Sequence, residues 1–312
     1  MVSSMLTDYS IIIPVFKLLG NKYIEQLLQS ISSQTHKPLE VHIVSGDSRQ
    51  GRSINYGVSA CKTKYIATLD DDSIIDDPML FEKLVKAMEA DSTIGIGGAS
   101  CLIPPDASPL QKKAMKEIPR RFFPVQKENV DSDMVQHPCL IMERDYFNGI
   151  GGEDESLVRG LDPVLRKKGR DGGKRVVIIA DTWVYHALPS SIGGIMEMYY
   201  RNGRGSGFAL RFYPEKILEL SDGYDKGVFV EKRPMPFRMI RRIGYILFSL
   251  LCFKLIRFLM EISYTAGLVK EYLSPGYTLK KPEIDSIKTS EKTGYPFKLI
   301  IHEVSLVEEK TF

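Results

Sequence analysis

The sequence predicts an α/β fold, a mostly parallel sheet with helices on both faces, continued by an apolar or amphipathic C-terminal helical segment. Three observations predict it. Over the first 190 residues, short β-branched runs alternate with segments of helical periodicity, the signature of strand–helix–strand units. Those runs are apolar at successive positions, as strands buried on both faces are. After about residue 215 the texture changes, first to a basic stretch and then to a wholly apolar one.

The elements follow in order. "YSIIIPVF" (9–16) reads as the first strand. Residues 21–34 carry Ile24, Leu27, Leu28 and Ile31 at helical spacing behind Asn21, a good capping residue. "LEVHIVS" (39–45) is a second strand, "SGDSRQGR" a turn-rich loop, 53–62 a short helix and "KYIATLD" (64–70) a third strand. A helix over 77–90 with Pro78 in its first turn and a strand over 94–100 come next. Glycines in "GIGG" (95–98) lack the full dinucleotide-binding spacing and read as tight packing. Residues 103–137 read as a long, polar, Pro-containing excursion that a substrate or partner orders, and 176–188 as a further strand region.

These segments divide into four parts: a catalytic domain over 1–215, a basic linker over 216–242, apolar helices over 243–275 and a polar tail over 276–312. The linker holds Lys232, Arg233, Arg238, Arg241 and Arg242, and the tail one strand-like piece, 297–304. The apolar run "IGYILFSLLCF" (243–253) is shorter than the roughly 20 residues a spanning helix needs. Basic residues upstream and interleaved aromatic rings suit a helix lying in a membrane interface. A core or dimerisation helix has the same pattern.

Composition narrows the partners. With 42 basic against 39 acidic residues the net charge is only +3, so no basic field argues for nucleic acid. Four cysteines, Cys61, Cys101, Cys139 and Cys252, lie far apart. They form neither a disulfide framework nor a cysteine-rich zinc motif, and fit a reducing compartment. The N-terminus lacks a basic region followed by an apolar core, so a cytoplasmic protein is expected.

The chemistry concentrates in "KYIATLDDDS". Asp70, Asp71 and Asp72 follow the third strand, at the strand end where such sheets bind ligands. Carboxylates two apart on extended backbone point the same way, so Asp70 and Asp72 suit a divalent cation bound with phosphate oxygens, Mg²⁺ or Mn²⁺. Three Asp that merely end a strand and cap a helix are the plainer alternative. A phosphatase with an aspartate nucleophile is a third, but position 74 is Ile and the motif follows the third strand instead of the first.

At these residues the chain resembles a family, the inverting family 2 glycosyltransferases of GT-A (Rossmann-like) fold in the nucleotide-diphospho-sugar transferase superfamily. The resemblance runs from residue 9 to about 205. It rests on "SIIIPVF", on "INYGVSACKTKYIATLDDD" with Asn55, Gly57 and Ala60 in register, on "RDYFNGIGGEDES" (144–156), on "GLDPVLRKKG" (160–169) and on His186 after a strand. It implies a metal-dependent transfer of a sugar from a UDP- or GDP-linked donor to an acceptor hydroxyl, with inversion. Pro14, Val15 and Phe16 would line the nucleotide pocket, with Asp47, Arg52, Asn55, Asp70 and Asp71 also on the donor. Asp72 and His186 would hold the Mn²⁺ or Mg²⁺, and Gly152 and Asp154 would meet the acceptor.

Asp162 is the expected catalytic base, because an attacking hydroxyl must lose its proton to a carboxylate opposite the leaving group. With Pro163 after it, Asp162 reads equally as a helix cap. Arg201 and Arg204 on the Gly-rich "YYRNGRGSG" are diphosphate clamps or a solvated basic turn. Some positions depart from the family pattern. Ser45 and Gly46 stand where an acid reads the base, and Leu161 replaces the first acid of an acidic pair. These departures keep a non-catalytic sugar-nucleotide scaffold as the alternative function. Contact with a membrane surface through 232–268 suggests a glycan or polyprenyl-phosphate-type acceptor on the cytoplasmic face, and a homodimer is the competing use of that helix.

Overall fold

The computed structural model describes residues 6–220, 229–230, 234–277, 279 and 281–307. In chain order its elements are β1 (Tyr9–Val15), α1 (Lys22–Ser32), β2 (Glu40–Ser45), α2 (Gln50–Ala60), β3 (Tyr65–Thr68), α3 (Leu80–Ala90), β4 (Ile94–Leu102), α4 (Pro109–Glu117), β5 (Val130–Asp131), β6 (Leu140–Glu143), α5 (Arg144–Gly149), α6 (Leu161–Asp171), β7 (Arg175–Tyr185), α7 (Ile192–Phe212), β8 (Glu219–Leu220), β9 (Phe229–Val230), α8 (Met235–Leu251), α9 (Leu255–Leu273), β10 (Ile284–Lys292) and β11 (Lys298–Leu306). Among the described residues the main sheet has the order β10-β11-β2-β1-β3-β6-β4-β7-β5. β11, β2, β1, β3, β4 and β7 run one way; β10, β6 and β5 run the other.

Alternation along β1 shows why its run is wholly apolar. Ile11 and Ile13 face α1 and α3, meeting Leu27, Ile31, Phe81 and Leu84. Ile12 points to the opposite face, against Ile54 and Val58 of α2 and Leu165 of α6. Each face is therefore a separate apolar core, and burial on both sides fixes the register of the central strands. Asn21 caps α1 as its residue type predicts, its side chain accepting from the Tyr23 amide at 3.1 Å. Pro78 lies just before α3, not in its first turn.

Several expectations are corrected. The 103–137 excursion needs no ligand to order it. Ser108 and Gln111 make a capping box for α4, and Ala114, Met115 and Ile118 pack against Ile195 of α7 and Met260 of α9. Further on, buried Asp133 accepts from Arg170 at 2.6 Å. The strand-like piece expected over 297–304 is β11, and the polar tail adds β10 to make a hairpin whose inner strand pairs in parallel with β2. Phe297, Leu299 and Val304 carry the apolar burial that attaches it. β10, "IDSIKTSEK", is polar, exposed and bulged near Ile284, which blunts the sheet edge against pairing with another chain.

The Gly-rich segment is helix α7, not a loop. A Cβ at Gly203 would meet the Tyr264 carbonyl oxygen at 2.0 Å, and one at Gly267 the Tyr200 carbonyl oxygen at 2.1 Å. The glycines thus let α7 and α9 touch backbone to backbone, and any side chain there forces them apart at a cost of about 1–3 kcal/mol. α9 is consequently part of the globular body. Arg238, Arg241 and Arg242 lie on α8 itself, while Lys232 and Arg233 fall outside the described residues. Among the described residues no helix is long and apolar enough to cross a membrane.

Candidate active site

β1, β2 and β3 run in parallel register and stop at Val15, Ser45 and Thr68. The carboxylates follow directly, but on a turn, not on extended backbone: the Ser73 amide donates to the Asp70 carbonyl at 3.1 Å. That turn still brings Asp70 and Asp72 together. Its far side is clipped to the end of β7 by paired bonds between Ile74 and Tyr185, 2.8 and 2.9 Å. The clip delivers His186, the next residue, to Asp72, with Nε2 3.0 Å from Oδ1.

The donor atoms of Asp70, Asp72 and His186 all lie within 4.8 Å of one another. Their electrostatics fit a cation site. Burial raises Asp70 to about 6, and the Asp72 charge adds to the rise. Burial opposes charge on His186 also, but the charge and hydrogen bond of Asp72 outweigh it and carry the imidazole to about 10. An imidazolium therefore stands where a divalent ion would sit, and an ion that binds displaces its proton. Two carboxylates and one neutral imidazole are ligands that Mn²⁺ accepts. Asp71 faces away, accepting from the Asn21 amide at 2.5 Å. Gln50 donates to Asp70 at 3.1 Å.

Asp162 lies in the first turn of α6. The cap is Gly160, at φ +82, a left-handed conformation natural only to glycine. The N-cap reading of Asp162 is thereby replaced by a tertiary role. Its Oδ1 accepts from the His137 amide at 2.9 Å, and the side chain stays about one-third exposed, at 32%. Burial pushes the carboxyl up, yet the charges of His137 and Arg166 prevail and hold it below the usual carboxylate range. His137 has its own partner, Glu153, at 3.2 Å. Burial disfavours its charge, but Glu153 and then Asp162 bring it to about 9, so it is cationic at neutral pH. The Asp162 charge adds to the rise of Asp70.

Other expected residues are placed differently. Asp47 is buried in an ion pair with Arg52 and accepts the Arg49 amide at 2.8 Å; Arg52 also donates to the Pro282 carbonyl at 2.7 Å. That pair ties the C-terminal segment down and leaves no carboxylate there to read a base edge. Asn55 holds the 152–155 turn, accepting from the Glu153 amide at 2.8 Å and donating to Glu155 at 3.0 Å. Gly152 is buried inside that turn at φ +53, and Asp154 is tied to Lys216 at 2.7 Å. Arg204 pairs with fully buried Glu271 at 2.8 Å and lies over the Tyr277 ring, so it is a strut between α7 and the chain after α9, not a phosphate clamp. Of the β1 trio, Val15 is core and Pro14 half-buried, while Phe16 is 70% exposed at the strand's end. Leu161 packs with Leu157 and Ala209.

Residues 46–151 match the sequence model of glycosyl transferase family 2. The fold resembles that of a solved structure, the mannosyltransferase PcManGT from Pyrobaculum calidifontis in complex with GDP-Man and Mn²⁺. Its TM-score is 0.56 at 15% identity, over 87% of this chain and 88% of that one. Residues 46–151 thus carry a family 2 glycosyl transferase segment, set in a fold of GT-A type. No curated protein sequence matches it.

Four residues of the cleft lie outside the set the sequence predicts. His137 and Glu153 buttress Asp162, as described. Arg121, half-buried on the former excursion, donates to the Tyr199 hydroxyl at 3.3 Å and feels the Asp72 charge. Arg159 feels Arg201, Arg121 and Asp70. Arg121 and Arg159 thus bring positive charge within electrostatic reach of Asp72 and Asp70. A signal existed for Glu153, which sits inside the "GGEDES" motif. None existed for Arg121 or His137, which tertiary folding alone carries to the cleft.

Proposed function

We propose that this transferase is inverting and metal-dependent, with Asp70, Asp72 and His186 as ligands of Mn²⁺ or Mg²⁺ and Asp162 as the base. The observation that carries the reading is the convergence of Asp70, Asp72 and His186 within 4.8 Å beside a positioned, ionised Asp162. A divalent cation held there neutralises charge on the departing diphosphate. Arg121, Arg159 and Arg201 supply further positive charge at the rim, and Phe16 offers an exposed ring for a base to stack on. The known complex of PcManGT with GDP-Man and Mn²⁺ makes a guanosine diphosphate sugar the first donor to test. In a panel of nucleotide sugars with Mn²⁺ or Mg²⁺, one donor is expected to release nucleoside diphosphate only when metal is present. Release unaffected by chelator, or metal-dependent binding without release, overturns the reading.

The acceptor reading is a lipid-linked one, a polyprenyl phosphate or lipid-borne glycan at the cytoplasmic face. Along α8, Phe237, Ile240, Ile243, Leu247 and Leu251 are exposed at helical spacing, and Phe253 beyond them is 81% exposed. Arg238, Arg241, Lys254 and Arg257 flank this face, the charge complement of anionic headgroups. Because α9 is held against α7, the contact narrows from 232–268 to α8 and the turn after it. The full chain is expected to float with anionic liposomes, and Ile240→Glu with Leu247→Glu to abolish flotation. A chain that fails to float but is dimeric in gel filtration, and monomeric in the double variant, shows a dimer interface instead.

A further inference from the structure

On the sheet face beneath α2 lies a polar cluster that sugar transfer does not use. His42 on β2 and His302 on β11 are only 1% and 3% exposed, among strand neighbours such as Ile12 and Val44. His42 Nδ1 stands 3.0 Å from His302 Nε2, and His302 Nδ1 is 3.0 Å from the Thr289 hydroxyl. On its other side, His42 Nε2 is 3.3 Å from Glu40 Oε2. Cys61, at the C-terminal cap of α2, completes the group: the donor atoms of Glu40, His42 and Cys61 lie within 4.8 Å of one another.

We propose that Glu40, His42 and Cys61 bind one zinc ion, with His302 as the outer partner that fixes the His42 ring. Nitrogen, sulfur and oxygen together are the ligand set of zinc, not of the all-oxygen cations. A tetrahedral ion about 2.0–2.3 Å from each ligand needs donors about 3.3–3.8 Å apart. The His42–Glu40 pair already has that spacing at 3.3 Å, and the Cys61 sulfur, which meets the Gly57 carbonyl at 3.2 Å, lies within 4.8 Å of both. A ligating imidazole normally donates its second N–H to a fixed acceptor. Here Nδ1–H of His42 donates to His302 Nε2, whose own Nδ1–H donates to Thr289.

Zinc coordination displaces the Cys61 thiol proton to solvent. Glu40, with its side chain 15% exposed, is the mouth of the site and admits a water as fourth ligand. The ion would join β2 to the end of α2, with His302 of β11 behind His42.

The test uses the full chain carrying Asp72→Ala and His186→Ala, so that zinc in the cleft is excluded. After chelation and dialysis against zinc, metal analysis is expected to find a single zinc per chain. With Co²⁺ as probe, a thiolate-to-cobalt charge-transfer band is expected in the near ultraviolet. It should persist in Cys101→Ala, the thiol beside His186, and vanish in Cys61→Ser. Zinc content well below one per chain, or a band that survives Cys61→Ser, overturns the proposal. His42→Leu, an apolar residue the sheet interior accepts, serves if Cys61→Ser fails to fold; zinc retained by that variant overturns it equally.

Discussion

Asp162→Asn is expected to lower kcat by about 10²–10⁴-fold, a barrier increase of about 3–5 kcal/mol, with donor and metal affinity nearly unchanged. The side chain keeps its shape, so its acceptance of the His137 amide survives, and what disappears is the group that takes the acceptor's proton. Isothermal titration of nucleotide and steady-state transfer assays separate the two effects. Near-normal turnover of Asp162→Asn would end the base assignment. The pH profile adds a second check. Asp162 is held below the usual carboxylate range, with the His137 imidazolium among the causes. It is therefore ionised across the neutral range, and turnover declines only as pH falls through that lowered value. His137→Gln removes the charge, raises the carboxyl and shifts the acid limb of kcat/KM to higher pH. An unmoved limb would mean that His137 is structural only.

Asp72→Ala and His186→Ala should each abolish metal stimulation, with a loss of about 10²–10³-fold, the scale seen when one preorganised electrostatic contact is removed from a reacting centre. Unlike Asp162→Asn, these variants should also lose metal-dependent donor binding. The physical cause lies in the pair itself: without His186, the charges of Asp72 and Asp70 repel each other with no imidazolium to offset them. Manganese affinity measured by electron paramagnetic resonance, alongside transfer rate, tests this. Intact manganese binding in His186→Ala would remove the histidine from the ligand set.

The sequence by itself determined the strands and helices whose apolar faces repeat locally. The run from Tyr9 to Ile13 of β1 is buried on both faces, and Asn21 caps α1 through a bond two residues away. It also marked Asp70, Asp72, Asp162 and His186 as candidates, because carboxylates and a histidine in short motifs stand out. Only the tertiary structure decided what those residues meet. The bridge from Ile74 to Tyr185 that delivers His186, the His137 support under Asp162 and the union of β11 with β2 all link positions far apart along the chain. The same holds for Arg204 and the glycines of α7. Their residue types suit a phosphate loop, yet Glu271 and the backbone of α9, more than fifty residues on, turn them into a helix contact. Local propensity and periodicity reach about one helical turn or one strand pair. Contacts at longer range are settled by which buried charges and apolar surfaces find each other when the chain closes.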